Sequence, residues 1–288
     1  MPQEHAFRLV AGEHGTDLVV TGDWSSQARK EILDGNADGL VLNYAKGFRE
    51  RDLRFIEGLP LRRLDILART HSDLTPIYTL SSTLEELSLQ TAPTPVDLSR
   101  LPSVVRVGAT WSQVEATIHS LPGLQDLFVL AYDEPDLSAL FGNKELVSLS
   151  MKDRPRVQTL DGVEHFTWLR HLALPLAPVH SLEPLTSASP LLKVLDFSHC
   201  RNIGSIAPIG SLEGLLRVDF SECGDIESVG VFDSLKLVED ILMWGSTRVV
   251  DGDLSPLARL SRLRTLRMKP RKTYRPPVSE IKIAIGDI

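Results

Sequence analysis

Two cysteines stand 23 residues apart, in the matching segments Asp196-Phe197-Ser198-His199-Cys200 and Asp219-Phe220-Ser221-Glu222-Cys223. With His199, next to Cys200, they form a small set of metal donors, the kind a structural zinc site draws on. Their spacing fits no zinc pattern, so packing as small buried thiols is the favoured reading. His165 and His171 are near each other in sequence but hold different places in the pattern described below. Asp251 and Asp253 make an isolated D-x-D, which is more often a turn than a metal site. The chain has no phosphate-cradling glycine loop, no nucleophile elbow and no H-E-x-x-H. An enzyme is therefore the least favoured class, surviving only as a set of catalytic groups assembled from distant residues. No cofactor and no metal are expected.

The elements that position these residues follow from a repeat. The spacing L-x-x-L-x-L occurs at Leu61/Leu64/Ile66, Leu84/Leu87/Leu89, Val104/Val107/Ala109, Leu124/Leu127/Val129, Leu146/Leu149/Met151 and Leu169/Leu172/Leu174. It continues at Leu192/Leu195/Phe197, Leu215/Val218/Phe220, Val238/Ile241/Met243 and Leu263/Leu266/Met268, with a weaker first copy at Ala37/Leu40/Leu42. The eleven copies follow one another at intervals of 20 to 25 residues. The last two apolar positions of each copy are two apart, so on a short strand both point inward. One copy cannot bury them alone, and stacked copies bury them in one column.

Several copies continue into Asp73-Leu74-Thr75-Pro76-Ile77, Ser181-Leu182-Glu183-Pro184-Leu185, Ser205-Ile206-Ala207-Pro208-Ile209 or Asp253-Leu254-Ser255-Pro256-Leu257. Proline suits the start of a tight helical turn, because its φ is already set and its missing N–H is not needed there. The whole pattern resembles the leucine-rich repeats of bacterial internalins and of a eukaryotic phosphatase regulator. That resemblance implies an α/β solenoid: a curved array with a parallel β-sheet on the concave side and short 3₁₀ or helical segments on the convex side. It also implies a bacterial protein that binds other proteins. The asparagine common in this family three residues after the strand is missing here. Arg69, Ala92, Ser112, Tyr132, Arg154 and Ala177 occupy that slot, and then Cys200 and Cys223.

Three segments are expected. Residues 1–36 form an N-terminal cap, with strands at Ala6–Val10 and Leu18–Thr21 and a helix capped by Asp23 or Ser25 and stopped by Gly35. Residues 37–268 are the repeats. Residues 269–288 are a basic, proline-rich connector followed by a capping strand, because Ile281, Ile283 and Ile285 alternate. Within the repeats, Ser112-Gln113-Val114-Glu115 reads as a capping box ahead of a helix over Ala116–His119.

The outward strand positions predict the binding face. Asp196, Asp219 and Glu222 form an acidic patch with Trp244 beside it, the composition of an aromatic anchor in a steering field. Trp111, Phe128 and Leu130 form a second, apolar cluster, for which packing against loops is the alternative reading. The formal charge of −7 and the lack of cation clusters disfavour nucleic acid and membrane surfaces as partners. No run of apolar residues is long enough to span a bilayer, and the segment Met1–His5 lacks the start of an export signal, so a cytoplasmic monomer is expected. The favoured function is a protein-binding module, with a basic partner, acting as an inhibitor or a toxin-neutralising immunity protein. A scaffold or regulatory subunit of a signalling enzyme is the alternative.

Overall fold

The structure is a computed structural model that describes residues 6–287. The expectation placed on residues 1–5 lies outside it. By internal packing the chain forms two compact units, Met1–Leu124 and Gln125–Ile288.

The first unit opens with an antiparallel hairpin, β1 (Phe7–Gly12) and β2 (Gly15–Val20). Helix α1 (Ser26–Leu33) follows, with the Ser25 hydroxyl accepting the Ala28 N–H at 3.1 Å and Ala28 and Ile32 buried. Of the two residues predicted to cap it, Ser25 does so. The parallel strands β3 (Gly39–Asn43), β4 (Arg63–Leu67), β5 (Glu86–Gln90) and β6 (Arg106–Thr110) continue from β2. Leu40, Leu64, Leu87 and Val107 sit in register, each nearly inaccessible to solvent.

A buried-side ion cluster ties the hairpin to the repeats. The Arg63 guanidinium donates to Asp17 Oδ1 at 3.1 Å, to both Asp38 carboxylate oxygens at 2.6 and 3.0 Å, and to the His14 and Thr16 carbonyls. Gly39 is required beneath it, since a Cβ there would lie 1.9 Å from the Asp17 carboxylate. After β6, helix α2 (Trp111–Val114) begins at once, and the Gln113 side chain turns back to accept the Thr110 N–H at 3.3 Å. The helix thus starts earlier than the Ser112 box predicts, and residues Ile118–Ser120 form a separate 3₁₀ turn.

The second unit is a parallel sheet of β7 (Asp126–Leu130), β8 (Ser148–Lys152), β9 (His171–Ala173), β10 (Val194–Asp196) and β11 (Arg217–Asp219). After the short strand β12 (Asp225–Ile226) comes β13 (Asp240–Met243), which extends that sheet. Strand β14 (Arg248–Val249) pairs with β12 away from it. Helix α3 (Ser255–Ala258) then leads to β15 (Thr265–Met268), the next strand of the main sheet. Leu127, Leu149, Leu172, Leu195, Val218, Ile241 and Leu266 stand in one register column, all buried. Each buried side chain of this size is worth roughly 1.5–3 kcal/mol in apolar transfer. Phe197 stacks on Phe220 one repeat away, with centroids 6.1 Å apart.

Opposite the strands run 3₁₀ turns, among them Glu183–Ser187 and Ala207–Ser211, and α3 takes the same place in its repeat. Pro184, Pro208 and Pro256 stand near their starts, as the sequence pattern predicts. The C-terminal segment differs from expectation. Residues Val278–Ile285 form helix α4, not a strand. Val278 and Ile281 are buried, a spacing of three that suits a helix, and Ile283 is left exposed. Gly286 ends the helix in the left-handed conformation. The Asp287 carboxylate then accepts the Leu266 N–H at 3.0 Å, giving a partner to an N–H of β15.

Candidate functional site

In the second unit, four of the residues predicted to bind a partner come together. Asp196 and Asp219 are directly opposed across β10 and β11, about 4.8 Å apart as paired strands require. Both are half-buried, and each accepts the backbone N–H two residues on, from Ser198 at 2.9 Å and Ser221 at 2.8 Å. These bonds turn the chain out of the strand. Next come residues in the left-handed conformation, His199 (φ 64°) and Glu222 (φ 58°). The Glu222 N–H donates to the Trp244 carbonyl at 2.9 Å, and the Trp244 N–H donates to Ser221 Oγ at 3.2 Å. Trp244 is therefore held by its backbone while its indole is 54% exposed. The Glu222 carboxylate accepts the Ser246 N–H at 3.0 Å, and the Ser246 contacts keep its pKa below the usual range, so it is ionised at neutral pH.

Phe128 and Leu130 lie on β7, in the same unit but three strands away from β10, and are half-buried. The Lys152 ammonium lies 5.6 Å from the Phe128 ring centroid. Trp111 is a correction. It is 1% exposed and offers nothing to a partner. The sequence column assumes that the strand continues through it, but β6 ends at Thr110, and the first turn of α2 swings the indole into the core. Leu176, 47% exposed and left-handed at φ 66°, occupies the equivalent turn position after β9. Its place in the outward column was legible, but its exposure depends on the side chains around it.

The cysteines are structural. Both thiols are buried; Cys200 Sγ donates to the Leu174 carbonyl at 3.2 Å and Cys223 Sγ to the Phe197 carbonyl at 3.1 Å. Burial pushes the Cys223 thiol up to about 12 and raises that of Cys200 as well, so neither is an available thiolate. Thr247 completes the series: its hydroxyl donates to the Phe220 carbonyl at 2.7 Å and accepts the Cys223 N–H at 2.9 Å. A ladder of buried donors thus replaces the missing asparagines. His199 is exposed, and among the described residues it is not gathered with the two thiols into a metal-binding group. Asp251 and Asp253 accept the N–H groups of Asp253 and Ser255, as turn residues do.

The stacked parallel strands, the repeated inward leucines and the 3₁₀ turns behind them form a leucine-rich-repeat fold, one that resembles the internalin-like class. By sequence, the chain matches no family model and no curated protein. By structure it is similar to an internalin, InlF, of Listeria monocytogenes. The TM-score is 0.68 at 21% identity, over 88% of this chain and 73% of that one. A leucine-rich-repeat protein of Leptospira interrogans aligns with a TM-score of 0.54 at 12% identity, over 88% of this chain and 77% of its own. A plant peptide hormone receptor, RGFR1, solved in complex with RGF2, aligns with a TM-score of 0.55 at 13% identity. That alignment takes in 91% of this chain but only 40% of the receptor. At such identities the likeness establishes the fold. Among the described residues no helix is long and apolar enough to cross a membrane.

Proposed function

We propose that this chain is a protein-binding module that holds a basic partner on the outward side of the sheet in the second unit. The observation that carries this reading is Trp244, a large residue left 54% exposed on a backbone held by two hydrogen bonds, one of them from the Glu222 N–H. A backbone already held in place needs no further ordering on binding, and aromatic anchors of this kind dominate interface energies. Asp196, Asp219 and Glu222 supply the negative field that would steer a cationic surface toward it. Phe128, Leu130 and the exposed Leu176 extend the contact area across the same unit's sheet. Binding by occlusion, as an inhibitor or immunity protein does, needs no cofactor, no catalytic group and no second copy of this chain. A cytoplasmic setting would keep both thiols reduced.

The test is affinity capture from the native host with the wild-type chain and with a Trp244→Ala/Asp219→Lys variant, followed by Kd measurement on whatever is held. Loss of an anchor of this type is expected to weaken the complex by about 30-fold or more. A partner held equally by both proteins would remove the site from this surface.

A further inference from the structure

The first unit contains a cavity that partner binding on the second unit does not use. It has a volume of about 330 Å³, at the lower end of the range for small-ligand pockets, and lies at the carboxyl ends of β3 and β4. Tyr44, Phe48, Arg49, Glu50, Arg69 and His71 line it. Local turn chemistry builds it. Asn43 Oδ1 accepts the Ala45 N–H at 2.8 Å and starts a 3₁₀ turn over Tyr44–Lys46. Gly47 then reverses the chain at φ 111°, where a Cβ would lie 2.4 Å from the Thr21 carbonyl oxygen. The reversal seats Phe48 against the His71 ring, with centroids 5.6 Å apart, and against Phe55 at 6.1 Å. One wall is therefore aromatic and rigid, and Tyr44, 51% exposed, stands at the rim.

The polar groups of the cavity are unevenly satisfied. The Glu50 carboxylate is committed to the Trp24 N–H at 2.8 Å. Arg49 and Arg69 are exposed and make no ion pair or side-chain hydrogen bond among the described residues. Both ring nitrogens of His71 are shielded from solvent and have no hydrogen-bond partner. Two free guanidinium groups, an unpartnered imidazole and an aromatic wall make up a site for an apolar ring that carries an anion. Guanidinium recognises a carboxylate through paired donors, and the ring surfaces favour stacking.

We propose that this cavity binds an aromatic carboxylate, with the ring against Phe48 and His71 and the carboxylate held by Arg49 and Arg69. The same chemistry is presented by a small aromatic acid and by the free C-terminal phenylalanine of a polypeptide. Two probes separate these sources: 2-naphthoate, and an acetylated tetrapeptide ending in phenylalanine with a free carboxylate. Each is titrated into the full chain by calorimetry, next to its neutral amide, with the aromatic proton shifts of Phe48 and His71 followed by NMR.

Saturable binding of at least one acid is expected, about tenfold or more tighter than its amide, with shifts at both rings. The Arg49→Ala/Arg69→Ala variant, altered only at exposed side chains, is expected to melt at the wild-type temperature and to bind acid and amide alike. Preference for naphthoate points to a free small molecule, and preference for the peptide to a polypeptide terminus. Equal binding of acid and amide by the wild type overturns the proposal. So does an acid preference that survives the double substitution, or the absence of saturation by either acid up to about 5 mM.

Discussion

The turns that follow the strands are built differently in the two units. In Gln125–Ile288, Cys200, Cys223 and Thr247 each donate a buried hydrogen bond to a carbonyl about one repeat back, at 3.2, 3.1 and 2.7 Å. In Met1–Leu124 comparable bonds come only from the last turns, Gln113 Nε2 to the Ala92 carbonyl at 3.2 Å and Thr117 Oγ1 to the Val96 carbonyl at 2.8 Å, and among the described residues none is made at the turn after β4. Arg69 stands exposed in that slot, His71 keeps two shielded nitrogens without partners, and the 330 Å³ cavity opens beside them. The lesson is that the inward leucines fix the strands in both units, while satisfaction of the turn backbone is a separate matter. Where a donor ladder supplies it, the turns close and the sheet presents a fixed outer surface. At the Arg69 turn, where no such donor stands, room and unpaired polar groups remain.

If the difference lies in the turns, the cores should respond alike. Leu195→Ala in the second unit and Leu64→Ala in the first both remove a side chain that is essentially inaccessible. Each is expected to cost about 2–5 kcal/mol, read from denaturant midpoints. A cost near zero for either one would place the difference in the core and end the comparison as drawn.

Substitution of a buried polar side chain by an apolar one of similar shape should then act with opposite sign in the two units. Thr247→Val removes the donor to the Phe220 carbonyl and the acceptor of the Cys223 N–H, leaving two buried backbone groups unpaired. The expected loss is about 2–4 kcal/mol. His71→Phe removes nitrogens that have no partner and keeps a ring against Phe48. It is expected to be neutral or to stabilise by up to about 1 kcal/mol. Thermal melts of both variants decide the matter, and destabilisation by His71→Phe as large as that by Thr247→Val would show that the imidazole has a partner after all.

These cases also mark how far the sequence was legible. The leucine column from Leu127 to Leu266 could be read directly, because a period-two strand tolerates no slip in its inward residues. Cys200 and Cys223 could be placed one above the other by their 23-residue spacing. Thr247 could not, because its repeat runs 25 residues to the next and moves the buried donor one place beyond the slot that the cysteines fill. Trp111 was misplaced by the single residue at which α2 replaces β6. The alternation of Ile281, Ile283 and Ile285 fits a strand, but Val278 and Ile281 fit a helix as well, and packing chose the latter. The cluster of Asp196, Asp219, Glu222 and Trp244 was readable because it follows strand register. The cavity at Phe48 and His71 was not, because it depends on how side chains from successive turns fill space.

Acid should separate the units by pH. His171, half-buried in the second unit, is held below its ordinary value of 6.5 by burial, with Asp196 opposing the shift. The unfolded chain therefore takes up this proton first. Stability from this group is complete above about pH 6.5 and is lost as the pH falls through the lower folded value. Asp38 in the first unit is held below its ordinary 3.8, chiefly by the hydrogen bond from Arg63. Its contribution is complete above about pH 4 and is lost only below that. Hydrogen exchange resolved by residue is expected to show protection falling in Gln125–Ile288 as the pH drops below about 6.5, while Asp17, Asp38 and Arg63 stay protected down to about pH 4. Loss around Arg63 in the same interval would refute the assignment.

The smallest expected effect tests the binding surface itself. Ser198 and Ser221 hold equivalent positions, two residues after Asp196 and Asp219, and each backbone N–H is already satisfied by its aspartate. Their hydroxyls differ: Ser221 Oγ accepts the Trp244 N–H at 3.2 Å. Ser198→Ala should therefore change stability by under about 0.5 kcal/mol, and Ser221→Ala by about 1 kcal/mol. Tryptophan fluorescence anisotropy gives the more discriminating reading, since only Ser221→Ala removes a bond that fixes Trp244. A rise in local indole motion for Ser221→Ala and none for Ser198→Ala would mean that Trp244 is held ready before any partner arrives. Equal behaviour of the two variants would mean that its exposed position is set by the Glu222 N–H alone, and that binding must fix the indole at its own cost.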